Sequence, residues 1–170
     1  LGNGRMLQLD DPAHAFSPHQ MWFHLQVYNY EKPTGHLGFA AVYETPFDLG
    51  PVRPVVHAFA STNGSWMAGV GFQGILRFWR HWLVSPSFVV NYYNEGTASE
   101  RQRAVDLGYW QNFRSGVALS YIMPRSLAKL GAGVYHVSNA NVGLINPGLE
   151  IVSIHFAVPL TPPPDYAPRR

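Results

Sequence analysis

Segment after segment of this chain alternates large apolar residues with small or polar ones at a period of two. That is the mark of β-strands whose two faces meet different surroundings. Trp66, Ala68, Val70, Phe72, Leu76 and Phe78 share one face, and Met67, Gly69, Gly71, Gln73 and Arg77 the other. The split recurs for Phe23, Leu25 and Val27 against His24, Gln26 and Tyr28, and for Val84, Phe88 and Val90 against Ser85, Ser87 and Asn91. It recurs again for Val117, Leu119 and Tyr121 against Arg114, Gly116 and Ser120. Cutting at turn signals predicts eight strands, near 21–31, 37–47, 54–61, 65–78, 82–94, 109–123, 127–138 and 150–160. An even strand number suits a closed antiparallel barrel.

Composition decides which face points outward. Only 13% of the 170 residues are charged while 14% are aromatic, against about 25% charged in a typical soluble domain. So little charge cannot coat a soluble surface, so the apolar face is expected against lipid and the polar face inside. The predicted fold is all-β: an eight-stranded antiparallel transmembrane β-barrel of the outer-membrane type with a filled interior. A soluble lipocalin-like barrel, with its apolar face inward, is the rival. Glu44, Arg77, Arg114 and Lys129 fall on inward positions, where they can pair with each other in a structural role. The longest charge-free stretch, Pro54 to Leu76, is no helical membrane span, because Ser61, Thr62, Asn63, Gly64 and Ser65 interrupt it.

Three segments are expected: an irregular N-terminal stretch 1–20, the barrel 21–160, and a Pro-rich tail 161–170 ending in Arg169 and Arg170. The chain starts at Leu1 with no charged and then apolar leader, so any signal peptide is expected to have been removed already. Taking the first strand as running outward from the periplasm, the links near 48–53, 79–81 and 124–126 are periplasmic. The long links 95–108 and 139–149 are then extracellular. Thr97 and Glu100 have capping-box spacing, which predicts a short helix near 98–105. An excess of 12 − 10 = +2 positive charges is far from a basic stripe, so no nucleic-acid partner is expected. There is no cysteine, which removes disulfides, thiolate metal sites and thiol nucleophiles. His14, His19, His36 and His81 fall in tails or links and His24, His57 and His155 on inward faces. No pair has metal-ligand spacing, and neither metal nor other cofactor is expected.

Polar residues interrupt the lipid face in the last two strands. Ala128, Leu130, Ala132 and Val134 define the outward face of strand seven, and the same period carries His136 and Ser138 onto it. In strand eight, Val152, Ile154, Phe156, Val158 and Leu160 define it, and counting back reaches Glu150. The hairpin 139–149 joins these strand ends, so the three residues can cluster near the outer-leaflet interface. Residues i and i+2 on a strand lie about 6.6 Å apart, within side-chain reach. The chemistry on offer is nucleophilic acyl transfer: Ser138 as nucleophile, His136 as base and later acid, Glu150 orienting the imidazole. Asn146 and the backbone amides near Asn139 to Asn141 are the nearest oxyanion donors, with Pro147-Gly148 shaping the turn that presents Asn146 and Glu150. Each residue has a blander reading as an interfacial or loop-end polar group; it is their shared face that points to catalysis.

His136-Val137-Ser138-Asn139-Ala140, followed by Asn146-Pro147-Gly148-x-Glu150, resembles the outer-membrane lipid A 3-O-deacylases of the PagL type, acyloxyacyl hydrolase-like barrels. The spacing from Ser138 to Glu150, 150 − 138 = 12 residues, is similar to theirs. The resemblance implies an outer-membrane serine esterase. It would remove the 3-O-linked acyl chain of lipid A, a 3-hydroxy fatty acid, in the outer leaflet, with a Ser138-His136-Glu150 triad and no metal. It also implies Asn146 as an oxyanion donor, with Asn141 standing where the family pattern prefers a glycine backbone donor. Arg101 and Arg103, on the long link, could bind lipid A phosphates or simply be solvated loop charges. The tails have no counterpart in the pattern, and the chain continues past Leu160 where many barrels end on an aromatic residue. A protein partner could dock on these tails. A catalytically silent barrel that anchors a larger assembly is the alternative reading.

Overall fold

The computed structural model describes residues 19–28, 36–47, 49–79, 81–96, 107–124 and 126–160. The segment expected to be helical near 98–105, with Arg101 and Arg103, and nearly all of both terminal segments lie outside these residues.

Nine strand segments make eight staves. They are β1 (Gln20–Tyr28), β2 (His36–Glu44), β3 (Val52–Ser61), β4 (Trp66–Gly74), β5 (Leu76–Trp79), β6 (Trp82–Asn94), β7 (Gln111–Ile122), β8 (Lys129–Ser138) and β9 (Leu149–Pro159). Each stave pairs antiparallel with the next, and β1 pairs with β9, which closes the ring. β4 and β5 both pair with β6 and form one stave broken at Ile75, whose N–H donates to the carbonyl of Pro51. The single strand expected over 65–78 is therefore corrected. The pairing slips between Arg77 and Trp79, and Trp79 is exposed there. Residues 45–51, 80–81 and 123–128 connect staves at one end. At the other lie the connections 62–65, 95–110 and 139–148.

The apolar faces point outward: Phe23, Leu25, Phe39, Val70, Phe72, Leu119, Leu130, Val134, Ile154 and Phe156 are all exposed. Rings flank this band. Tyr92 and Trp82, both exposed, are ten residues apart on β6. That is about 33 Å along the strand, or about 25 Å along the axis at a tilt near 40°, the height of an outer-membrane apolar belt. Such sidedness excludes the soluble lipocalin-like reading, whose apolar residues would point in.

The lumen is packed in layers. Tyr28, Phe59, Met67, Tyr93, Tyr135, Val137 and Ile151 fill one end and Trp22, Val42, Val55, Leu83, Val89 and Ile122 the other. Between them lies a buried polar layer: His57 Nδ1 meets Asn91 Oδ1 at 2.7 Å, and His155 Nε2 meets Ser120 Oγ at 2.8 Å. Gly131 makes room for that histidine, since a Cβ there would stand 2.7 Å from His155 Nε2. Arg53, which was not among the inward charges counted from the sequence, is buried beside them. Glu44 pairs with Arg53 at 3.3 Å and accepts from Trp22 Nε1 at 3.0 Å. Arg114 lies 3.5 Å over the Tyr135 ring, and Lys129 lies 4.7 Å over the Trp22 ring. His36, expected in a link, opens β2 and packs on Tyr28 at 5.5 Å between ring centroids.

Candidate active site

β8 ends and β9 begins at the rim where the longest connections lie, and their register sets His136 directly opposite Glu150. Cross-strand neighbours on one face bring their Cβ atoms to about 4.5–5.5 Å, close enough for the side chains to bond. They do: His136 Nδ1 stands 2.6 Å from Glu150 Oε1. Their side chains are 47% and 45% exposed, so the pair faces outward from the wall and not into the lumen. With the carboxylate accepting from Nδ1–H, the imidazole keeps its lone pair on Nε2, the tautomer a general base needs.

Ser138 lies two residues beyond His136 on the same face, partly buried, at the last position of β8. Among the described residues no hydrogen bond joins its Oγ to His136, so the structure brings histidine and carboxylate together and leaves the serine as their neighbour. In unliganded sites such contacts are often open and tighten only around substrate. Gly148 faces the imidazole from β9's side. Its φ is +67°, and a Cβ there would stand 2.9 Å from His136 Cε1. Only glycine serves both the left-handed backbone and the ring's position.

The hairpin 139–148 is tied by asparagines. Asn139 is fully buried and its Nδ2 donates to the carbonyls of Leu107 at 2.7 Å and Ile145 at 2.6 Å. Asn146 Oδ1 accepts from the Asn139 N–H at 3.0 Å, and Asn146 Nδ2 donates to Asn141 Oδ1 at 3.1 Å. The Asn141 N–H donates to Asn139 Oδ1 at 2.9 Å. Ala140 and Asn141 are consecutive residues with positive φ, 52° and 62°. Strained backbone of this kind persists only where its surroundings fix it. Among the described residues the Ala140 N–H has no acceptor. It is a potential anion donor that sequence reasoning had placed only within a span of amides.

A further residue escaped the sequence reading. Ser115 on β7 lies opposite His136 in register and is exposed, so Ser115, His136 and Glu150 form one row across three strands of the outer wall. Extending the outward series Tyr121, Leu119, Val117 by one step would have reached it. Phe113, one row nearer the rim, stands opposite Ser138 and stacks on Phe88 at 5.9 Å between centroids. Among the described residues no group of three or more His, Asp or Glu side chains could hold a metal ion.

A protein-family model described as lipid A 3-O-deacylase (PagL) matches residues 7–159. None of the curated proteins matches the chain. Among solved structures, the crystal structure of the outer membrane enzyme PagL is similar with a TM-score of 0.63 at 12% identity, over 83% of this chain and 99% of that one. A de novo designed transmembrane β-barrel gives a TM-score of 0.56 at 10% identity, over 84% of this chain and 94% of that one. Neisserial surface protein A gives 0.51 at 11%, over 83% and 95%. At such identities the solved structures speak for the fold, and kinship rests on the family model.

Proposed function

The chain belongs to the lipid A 3-O-deacylase (PagL) family of outer-membrane barrels, and on that premise we propose that it hydrolyses the 3-O-linked acyl ester of lipid A with Ser138, His136 and Glu150. The observation that carries this reading is the 2.6 Å contact between His136 and Glu150 on the outer wall, with a serine two residues along the same face. A carboxylate bound to an imidazole is hard to explain as filler on a surface that otherwise meets hydrocarbon.

Ser138 Oγ attacks the ester carbonyl carbon while His136 Nε2 takes its proton, and Glu150 holds the imidazolium that results. The tetrahedral oxyanion is met by an N–H of Asn146 Nδ2 and by main-chain N–H groups of the Ala140–Asn141 turn. The Asn141 amide serves if it leaves Asn139 Oδ1. Collapse breaks the bond to the sugar oxygen, which leaves with the proton from His136. Water, deprotonated by the same histidine, then cleaves the acyl-serine and releases the fatty acid. The residues that do this are all supplied by the chain. Arg101 and Arg103 are proposed to meet lipid A phosphates.

The site is proposed to face the outer leaflet. Outer-membrane barrels keep short turns in the periplasm and long loops outside, and the site shares its rim with the two long connections 95–110 and 139–148. The test is mass spectrometry of lipid A from cells expressing the protein or its Ser138→Ala variant. Loss of one acyl chain only with the unsubstituted protein supports the esterase. Identical spectra from correctly inserted proteins leave a silent anchoring barrel instead.

A further inference from the structure

Every polar residue on a lipid-facing wall needs a reason, because the hydrocarbon gives its hydrogen-bonding groups no partner. His136 and Glu150 satisfy each other. Ser115, in the same row, does not join them: the imidazole leans toward β9, with Nδ1 on Glu150 and Cε1 against Gly148, away from β7. Among the described residues no hydrogen bond is made by its hydroxyl. The rows on either side of it on β7 are Phe113 and Val117, so it is a single hydroxyl set into an apolar lane.

We propose that Ser115 is a specificity-determining residue that hydrogen-bonds a hydroxyl at C3 of the acyl chain being cleaved. The inference rests on the esterase reading and deepens it. Ser138 stands opposite Phe113 and Ser115 opposite His136, so the two serines are diagonal neighbours with Cα atoms about 7–8 Å apart. Ser115 is the one further from the rim. An ester whose carbonyl lies over Ser138 must run its chain from the rim toward the apolar belt, past the row of Ser115. The side chains close part of the diagonal, so the carbons that come level with the Ser115 hydroxyl are those just beyond the carbonyl. A hydroxyl at C3 meets it there. A plain methylene at C3 would leave Ser115 facing hydrocarbon, and a hydroxylated chain without Ser115 would carry an unmet donor.

The test uses the full chain in detergent micelles and two synthetic substrates. Both are N-acylated glucosamine 1-phosphates, one carrying 3-hydroxytetradecanoate and the other tetradecanoate as the 3-O-ester, and kcat/KM is read from the released acid. The unsubstituted protein is expected to favour the hydroxylated ester by about five- to tenfold, the worth of one neutral hydrogen bond. Ser115→Ala should lose that preference, its kcat/KM falling by about five- to tenfold more on the hydroxylated ester than on the plain one. Ser115→Thr should retain the preference and its near-isostere Ser115→Val should lose it, each checked for folding by heat-dependent gel mobility. A preference that survives in Ser115→Ala, an equal loss on both esters, or no preference in the unsubstituted protein overturns the inference and leaves the esterase standing. No hydrolysis of either ester, with Ser138→Ala indistinguishable from the unsubstituted protein, overturns the esterase and the inference together.

Discussion

Glu150 Oε1 on His136 Nδ1 fixes both which imidazole nitrogen is basic and where the ring points. Glu150→Gln keeps the size but lets the amide donate to Nδ1, which puts the proton on the wrong nitrogen. We expect kcat to fall by about 10²- to 10⁴-fold with KM within a few-fold, measured as initial rates of fatty-acid release. Gly148→Ala should act through position alone. A Cβ 2.9 Å from His136 Cε1 on a backbone at φ +67° must displace the ring, and we expect about a tenfold or greater loss of kcat in a protein that still folds. The same rates, beside heat-dependent gel mobility, check it. His136, Ser138 and Glu150 were legible because period-two counting assigns a face to every residue of a strand. Ser115 was equally countable. Its place across from His136 was not, because the offset between β7 and β8 is a property of the pair and not of either strand.

At the scale of the strands, the outward faces behave as a lipid-facing wall. Val134 lies mid-strand on β8, two residues from His136, and is exposed. Val134→Arg should cost about 2–4 kcal/mol, whereas Ser138→Arg at the rim should cost about 0–1 kcal/mol. Urea titration of folding into phospholipid vesicles checks the difference. Strand positions were readable to within a few residues, since alternation and turn residues are both local signals. The break at Ile75 was not. It arises where the β4–β5 stave meets the turn before β3, and the Ile75 N–H leaves its ladder for the Pro51 carbonyl. A single alternation count run through that break puts Trp79 inward, whereas it is exposed.

Across the whole molecule, the lumen is a closed interior in which a charge survives only beside its partner. Glu44 is fully buried against Arg53, Trp22 and Gln73, and Glu44→Ala would leave the guanidinium of Arg53 without that carboxylate. We expect a loss of about 3–5 kcal/mol, read from urea unfolding of the vesicle-inserted protein. The chain by itself determined the number of staves, which face meets lipid, and the run of residues that interrupts that face. These follow from composition and a period that repeats along one strand at a time. Tertiary structure alone decided that Arg53 joins Glu44 and that aromatic rings cover Arg114 and Lys129, that asparagines lock the 139–148 hairpin, and that Ser115, His136 and Glu150 share a row. Each of those depends on strand offsets and ring closure, which bring together residues far apart in sequence and leave no periodic trace in it.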